Sequence, residues 1–180
     1  MNVVNLLTPG NSTLVIVDLQ ERFAPAIEGW ERIVERASIL ARTATLLGWP
    51  AVVTEQYPRG LGPTVPEIAG ALEGFEPLEK TTFPATGASG FDLDGRPNVV
   101  LCGVETHVCV QQTALALAGQ GAAVQVVADA TGSRTPADRD AAMARMALAG
   151  VAPTSTEAVG FELLGSADAD GFREFQGMIK

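Results

Sequence analysis

The sequence predicts an α/β protein built in three layers, α-β-α, around a parallel sheet of roughly six strands. Two observations carry this expectation. Short β-branched runs alternate with longer stretches of helical period. Ionisable residues fall just past several of the apolar runs, at the carboxyl ends where parallel sheets bind ligands. At 180 residues the chain fits one domain, spanning 1–180, and no internal repeat, low-complexity tract or linker divides it.

Thr13-Leu-Val-Ile-Val-Asp18 is a continuous apolar run closed by an acid, the pattern of a buried parallel strand. From about Trp30 to Leu47, the residues Ile33, Val34, Ala37, Leu40, Ala41 and Ala44 recur at helical spacing, and Gly48 stops the helix. Ala51–Glu55 reads as a second strand. The stretch from Gln56 to Glu76 holds several Gly and Pro and reads as a long loop, of the kind that forms lids and pocket walls. Pro77–Lys80 is a short third strand and Asn98–Val104 a fourth, followed by a helix from about His107 to Ala118. Ala123–Ala128 makes the fifth strand. Thr135-Pro-Ala-Asp138 supplies an N-cap threonine, a first-turn proline and an acid three residues on, so a helix starts there and runs to about Leu148. Val151–Thr154 is a weaker sixth strand, and the remainder reads as helical.

Composition narrows the function. Hydrophobic residues at 47% and charged ones at 18% give an ordinary globular balance. A formal charge of -9 without clustered Lys and Arg argues against nucleic-acid binding. The opening, Met1-Asn-Val-Val-Asn-Leu-Leu-Thr, shows no signal-peptide pattern, and no apolar run approaches membrane-spanning length. Two cysteines seven positions apart exclude a disulfide framework and a zinc knuckle, and thiols that stay reduced suit the cytoplasm. With one histidine the chain lacks the ligands of the usual catalytic zinc or iron site, so neither metal nor cofactor is expected.

The chemistry concentrates at Asn98-Val-Val-Leu-Cys-Gly-Val-Glu-Thr-His-Val-Cys109, where a strand runs through a glycine into a cysteine at a helix start. A thiol placed there faces unpaired N–H groups and the positive end of the helix dipole, which favours its thiolate. The same N–H groups can hold an oxyanion. Cys102, inside the strand, reads as a buried small hydrophobe. Asp18 and Lys80 end the first and third strands, so the topology gathers Asp18, Lys80 and Cys109 at one sheet edge. A carboxylate to take the thiol proton, an ammonium to stabilise the anions and a thiolate to attack make a complementary set. Singly, each has a bland reading: helix cap, solvated lysine, core cysteine. His107 stands two positions before Cys109, which on a shared helix turns the two to different faces. Ala114, Leu115, Leu117 and Ala118 form an apolar face that either packs on the sheet or meets another subunit.

With these segments in view, the chain resembles the isochorismatase-like cysteine hydrolase superfamily over nearly its whole length. The resemblance rests on Val15-Ile-Val-Asp18-Leu-Gln20-Glu-Arg-Phe23, Glu79-Lys80-Thr-Thr-Phe83 and Gly103-Val-Glu-Thr-His-Val-Cys109-Val-Gln-Gln-Thr113. Val127-Ala-Asp-Ala130 with Ser133-Arg134 and Asp138-Arg139 follows in order. Thr54-Glu-Gln-Tyr-Pro-Arg-Gly-Leu-Gly62 and Ser155-Thr-Glu157 with Phe161-Glu-Leu-Leu164 are similar to the isochorismatase-domain-containing hydrolases of undefined substrate.

The resemblance implies a Rossmann-like sheet, a catalytic triad of Asp18, Lys80 and Cys109, and a non-proline cis peptide at Val104–Glu105. That peptide would aim the Glu105 N–H, with the Cys109 N–H, into an oxyanion hole. It also implies a homo-oligomer, a dimer or larger. Gln20, Phe23, Tyr57, Leu61 and Phe83 are the candidate substrate-binding walls, Gln20 the polar contact among them. Metal-binding nicotinamidases of the superfamily carry an Asp and histidines after the second strand, whereas this chain reads Gln56-Tyr-Pro-Arg59. Isochorismatases that cleave a vinyl ether lack the cysteine that is present here. The expectation is a metal-independent cytoplasmic cysteine hydrolase acting on a small molecule at an amide or related C–N bond, through a thioester. Its rivals are a non-catalytic small-molecule-binding or interaction protein on the same scaffold and, ranked last, a peroxide-sensing thiol.

Overall fold

The computed structural model describes residues 6–180, so the expectation about the opening segment lies partly outside the described residues. Among the described residues six strands form: β1 (Ser12–Val17), β2 (Ala51–Gln56), β3 (Leu78–Lys80), β4 (Asn98–Val104), β5 (Ala123–Gly132) and β6 (Ala152–Thr154). They pair in parallel in the order β3-β2-β1-β4-β5-β6. The helices are α1 (Trp30–Leu47), α2 (Pro58–Leu61), α3 (Pro66–Ala69), α4 (Gln111–Gly119), α5 (Pro136–Leu148), α6 (Thr156–Leu164) and α7 (Phe172–Ile179). No described helix is long and apolar enough to cross a membrane.

Alternation along the strands splits the core into two layers. Leu14, Ile16, Val100, Cys102 and Val104 face α1 and α6, while Val15, Val17, Val99, Leu101 and Val126 face α4 and α5. The apolar positions read as one face of α1 are all buried, and its C-cap Gly48 takes φ 61° and returns its N–H to the Ala44 carbonyl. The Thr135 hydroxyl caps α5 by accepting from the Asp138 N–H at 3.2 Å. Ala114 and Leu117 of α4 pack into the second layer, which settles part of that apolar face on the sheet side. Cys102 is fully buried in the first layer, as a plain hydrophobe would be.

Three elements differ from the expectation. The long loop holds the one-turn helices α2 and α3, each opened by a proline. The helix expected from His107 is preceded by a wide π-type turn, Thr106–Val110, and becomes α-helical at Gln111. β5 runs four residues further, to Gly132, because the register shifts between Leu101 and Gly103 and then pairs Gly103 with Thr131. Its extension, Asp129-Ala-Thr-Gly132, carries no apolar signal, so periodicity could not find it.

The strand order reverses direction between β1 and β4, and the crevice beyond their carboxyl ends is where such sheets hold ligands. Asp18 leaves β1 there and Glu105 leaves β4. Gly103 lets the two strands approach: it has φ 115°, and a Cβ would stand 2.0 Å from the Val17 carbonyl oxygen.

Candidate active site

Asp18 is the first residue past β1 and sits in the left-handed region at φ 52°, which aspartate tolerates better than most. The pairing of Val17 with Thr54 brings Thr54 alongside, and its hydroxyl donates to Asp18 Oδ1 at 2.7 Å. Lys80, the last residue of β3, donates to Asp18 Oδ2 at 2.7 Å. Both side chains have no exposed surface. The ammonium meets three further oxygens: Gln56 Oε1 at 2.7 Å, the Phe83 carbonyl at 3.0 Å and the Thr82 carbonyl at 3.2 Å. Four acceptors share three hydrogens, so Lys80 is a fixed counter-charge rather than a free acid.

Cys109 lies in the wide turn, close enough for the charges of Asp18 and Lys80 to act on its thiol. The turn hangs on Glu105, whose carbonyl accepts from the Val108 N–H at 3.0 Å and the Val110 N–H at 3.2 Å. The Thr113 hydroxyl donates to the Cys109 carbonyl at 2.6 Å and accepts from the Ala85 N–H at 2.8 Å. The Val104–Glu105 peptide is cis.

The protonation balance corrects one expectation. Burial, then the neighbouring Asp18 charge, push the Cys109 thiol up to about 12, and Lys80 opposes them only in part. Burial likewise raises Asp18 above its ordinary range, against the pull of Lys80 and the Thr54 hydroxyl. Burial therefore holds the resting thiol protonated, in place of the thiolate expected from a helix dipole. The regular helix begins only at Gln111, and the sulfur is buried, so desolvation outweighs any dipole.

The remaining expected residues divide. Gln20 is fully buried and its amide is spent on main chain: Nε2 donates to the Gly62 and Gln56 carbonyls at 2.7 and 3.0 Å, and Oε1 accepts from the Gln56 N–H at 2.8 Å. It straps the 56–62 segment and has no polar atom left over as the contact expected of it. Phe23 is half-buried and packs on the first core layer. Leu61 is half-buried at the end of α2, whose turn is also held by Arg22 on the Gly60 carbonyl at 2.6 Å. Tyr57 and Phe83 stay exposed, at 55% and 53%, and Phe83 is joined to the site through its carbonyl on Lys80. His107 turns to Ser133, Nδ1 to Oγ at 3.0 Å, rather than to the sulfur. Sequence reasoning missed Thr54, Gln56 and Thr113; Thr54 lies one register step from Asp18 and Gln56 pairs directly with Lys80, a signal only strand pairing supplies.

A cleft of about 480 Å³ runs along Tyr57, Arg59, Glu79, Lys80 and Ser89. Another of about 500 Å³, along the last residues of β5, includes none of Asp18, Lys80 and Cys109. Among the described residues no group of three or more His, Cys, Asp or Glu is gathered as a metal site would need.

Comparison with known proteins adds the lineage. The isochorismatase domain family model matches residues 12–158. Isochorismatase domain-containing protein 2 of Bos taurus is 42% identical over 175 residues, 96% of this chain and 84% of that protein. The structure described as MAR1 ribonuclease from Caenorhabditis elegans is 37% identical with a TM-score of 0.90, covering 97% of this chain and 92% of that one. YcaC from Pseudomonas aeruginosa, solved with hexane-2,5-diol and covalent acrylamide, is 26% identical with a TM-score of 0.88 over 99% and 93%.

Proposed function

Because this chain belongs to the isochorismatase domain family, we propose that it is a metal-independent cysteine hydrolase of a small molecule, cleaving an amide or related C–N bond. The observation that supports this reading best is the buried Asp18–Lys80 pair, joined at 2.7 Å, with the charges of both acting on the Cys109 thiol. A carboxylate and an ammonium with no exposed surface are costly to bury, and a purely structural role gives little reason to set a thiol against them.

The proton moves within the site. Asp18 takes the Cys109 proton as the sulfur attacks the carbonyl carbon, so the anion passes from carboxylate to sulfur and on to the substrate oxygen. The Glu105 and Cys109 N–H groups hold that oxygen. The oxygen pair then re-forms the carbonyl and the C–N bond breaks. The nitrogen leaves with the proton from Asp18, and a thioester remains on Cys109. Water gives its proton to Asp18 and attacks the thioester; the C–S bond breaks and Asp18 returns the proton to the sulfur. Lys80 keeps its positive charge throughout and lowers the energy of each anionic stage. The covalent acrylamide in the Pseudomonas relative agrees with a protein of this kind carrying a side chain that takes up an electrophile.

A screen over amides, ureas and esters, with Cys109→Ala and Lys80→Ala beside the wild type, tests this. A covalent adduct on Cys109 and loss of turnover in both variants are expected. Absence of any adduct across the screen favours the binding-protein reading. RNA belongs in the same screen because of the name carried by the nematode relative. Cleavage that survives Cys109→Ala would replace the proposal with a phosphodiester chemistry; the charge of -9 speaks against that outcome. Self-association remains part of the proposal, and sedimentation velocity decides it.

A further inference from the structure

We infer that Arg134 is a positioning residue for carbonyl attack: through the Glu105 carboxylate it fixes the residue whose N–H forms half of the proposed oxyanion hole. The inference rests on the hydrolase reading above.

The end of β5 and the residues after it are buttoned to the nucleophile segment 103–107 at four points. The Thr131 hydroxyl donates to the Gly103 carbonyl at 2.8 Å and lies 3.2 Å from the Thr106 hydroxyl. Ser133 holds His107. Arg134 donates to Glu105 Oε2 twice, from its main-chain N–H at 3.2 Å and from Nε at 3.0 Å. Of these buttons only the last carries charge. Glu105 has 7% of its side chain exposed against 61% for Arg134, so a surface guanidinium reaches in to neutralise a nearly buried carboxylate.

Glu105 is held at both ends. Its carboxylate is on Arg134, and its carbonyl accepts from the Val108 and Val110 N–H groups that flank Cys109. Movement at Glu105 therefore carries the nucleophile turn and the Glu105 N–H together. With the guanidinium gone, one main-chain N–H would remain on a desolvated carboxylate, and the side chain would seek water. Sulfur chemistry without an oxyanion should tolerate that shift, whereas carbonyl attack should not.

The test uses two reagents on the full-length protein. Acetylation by p-nitrophenyl acetate goes through a tetrahedral oxyanion: the sulfur adds to the carbonyl, p-nitrophenolate departs and the thiol proton goes through Asp18 to solvent. Iodoacetamide alkylation displaces iodide at a saturated carbon and needs no such hole. Arg134→Ala should slow acetylation at least about tenfold while alkylation stays within about twofold of wild type, and Arg134→Lys should recover part of the loss. The variant changes a mostly exposed side chain, so thermal unfolding should confirm that it folds. Equal slowing of both reagents, or no slowing of either, overturns the inference and leaves the hydrolase reading standing. A wild-type Cys109 that accepts neither reagent removes both.

Discussion

Lys80→Met keeps the reach of the side chain and deletes its charge, and the consequence depends on pH in a calculable direction. The ammonium is paired with Asp18 at 2.7 Å with no exposed surface on either partner, so its removal leaves a buried carboxylate uncompensated. Losing one member of such a pair costs about 3–5 kcal/mol. Burial already raises Asp18 above its ordinary 3.8, and Lys80 is the largest influence opposing that rise, so the variant carries it higher still. A group that binds its proton more tightly folded than unfolded loses stability as pH climbs through the window above 3.8. Below its folded value the variant is spared, because a protonated Asp18 is merely polar and keeps Thr54 as a partner. There the loss shrinks to about 1–2 kcal/mol, set by the orphaned acceptors. At about 2–4 °C per kcal/mol for a domain of this size, the deficit in Tm should be roughly 5–10 °C larger at the alkaline end of that window than at its acid end. Thermal melts of wild type and variant at the two pH values measure it. Equal deficits, or a deficit under about 1 kcal/mol at the higher pH, would mean that the pair is not an ion pair in the folded protein.

Other outcomes follow from the same geometry. In the proposed mechanism Asp18 must be ionised to accept the thiol proton, and its proton affinity is raised, so kcat/KM should fall on acidification with an inflection above 3.8. Asp18→Asn should abolish that acid limb along with most of the rate; a limb that persists assigns the base elsewhere. Gly103→Ala places a methyl 2.0 Å from the Val17 carbonyl at φ 115°, and a loss of about 2–5 kcal/mol is expected in urea unfolding. A change below about 1 kcal/mol would show that β1 and β4 can separate beside the site. Gln20→Leu releases three hydrogen bonds from the 56–62 segment, so proteolysis after Arg59 should accelerate and KM should rise with kcat nearly kept. A fall in kcat with KM constant would instead make Gln20 part of the chemistry.

Much of this architecture is legible in the chain, for identifiable reasons. Strands and α1 declare themselves because burial on both faces or on one stripe imposes an apolar period, as in Leu14–Val17 and the Ile33–Ala44 series. Asp18, Lys80 and the Glu105–Cys109 stretch follow strand ends, so topology alone brings them to one edge. What sequence could not supply was the medium. Thiolate character was inferred from a helix start, but it is decided by how completely Cys109 is enclosed, and enclosure is a property of the whole fold. The partners of the ion pair were equally hidden, since Thr54 and Gln56 acquire meaning only through register with β1 and β3. Gln20 shows the converse: a polar residue in a recognisable motif invites a ligand role, while its amide serves the adjoining backbone.

The enclosure of the acid and ammonium has a practical corollary for whoever identifies the substrate. Mobile ions cannot shield charges they cannot approach, so the proposed proton transfer from Cys109 to Asp18, beside Lys80, should ignore added sodium chloride. Any ionic-strength dependence of kcat/KM would then report on the incoming molecule: a rate indifferent to salt marks a neutral compound, and a sloping one reveals the sign of its charge.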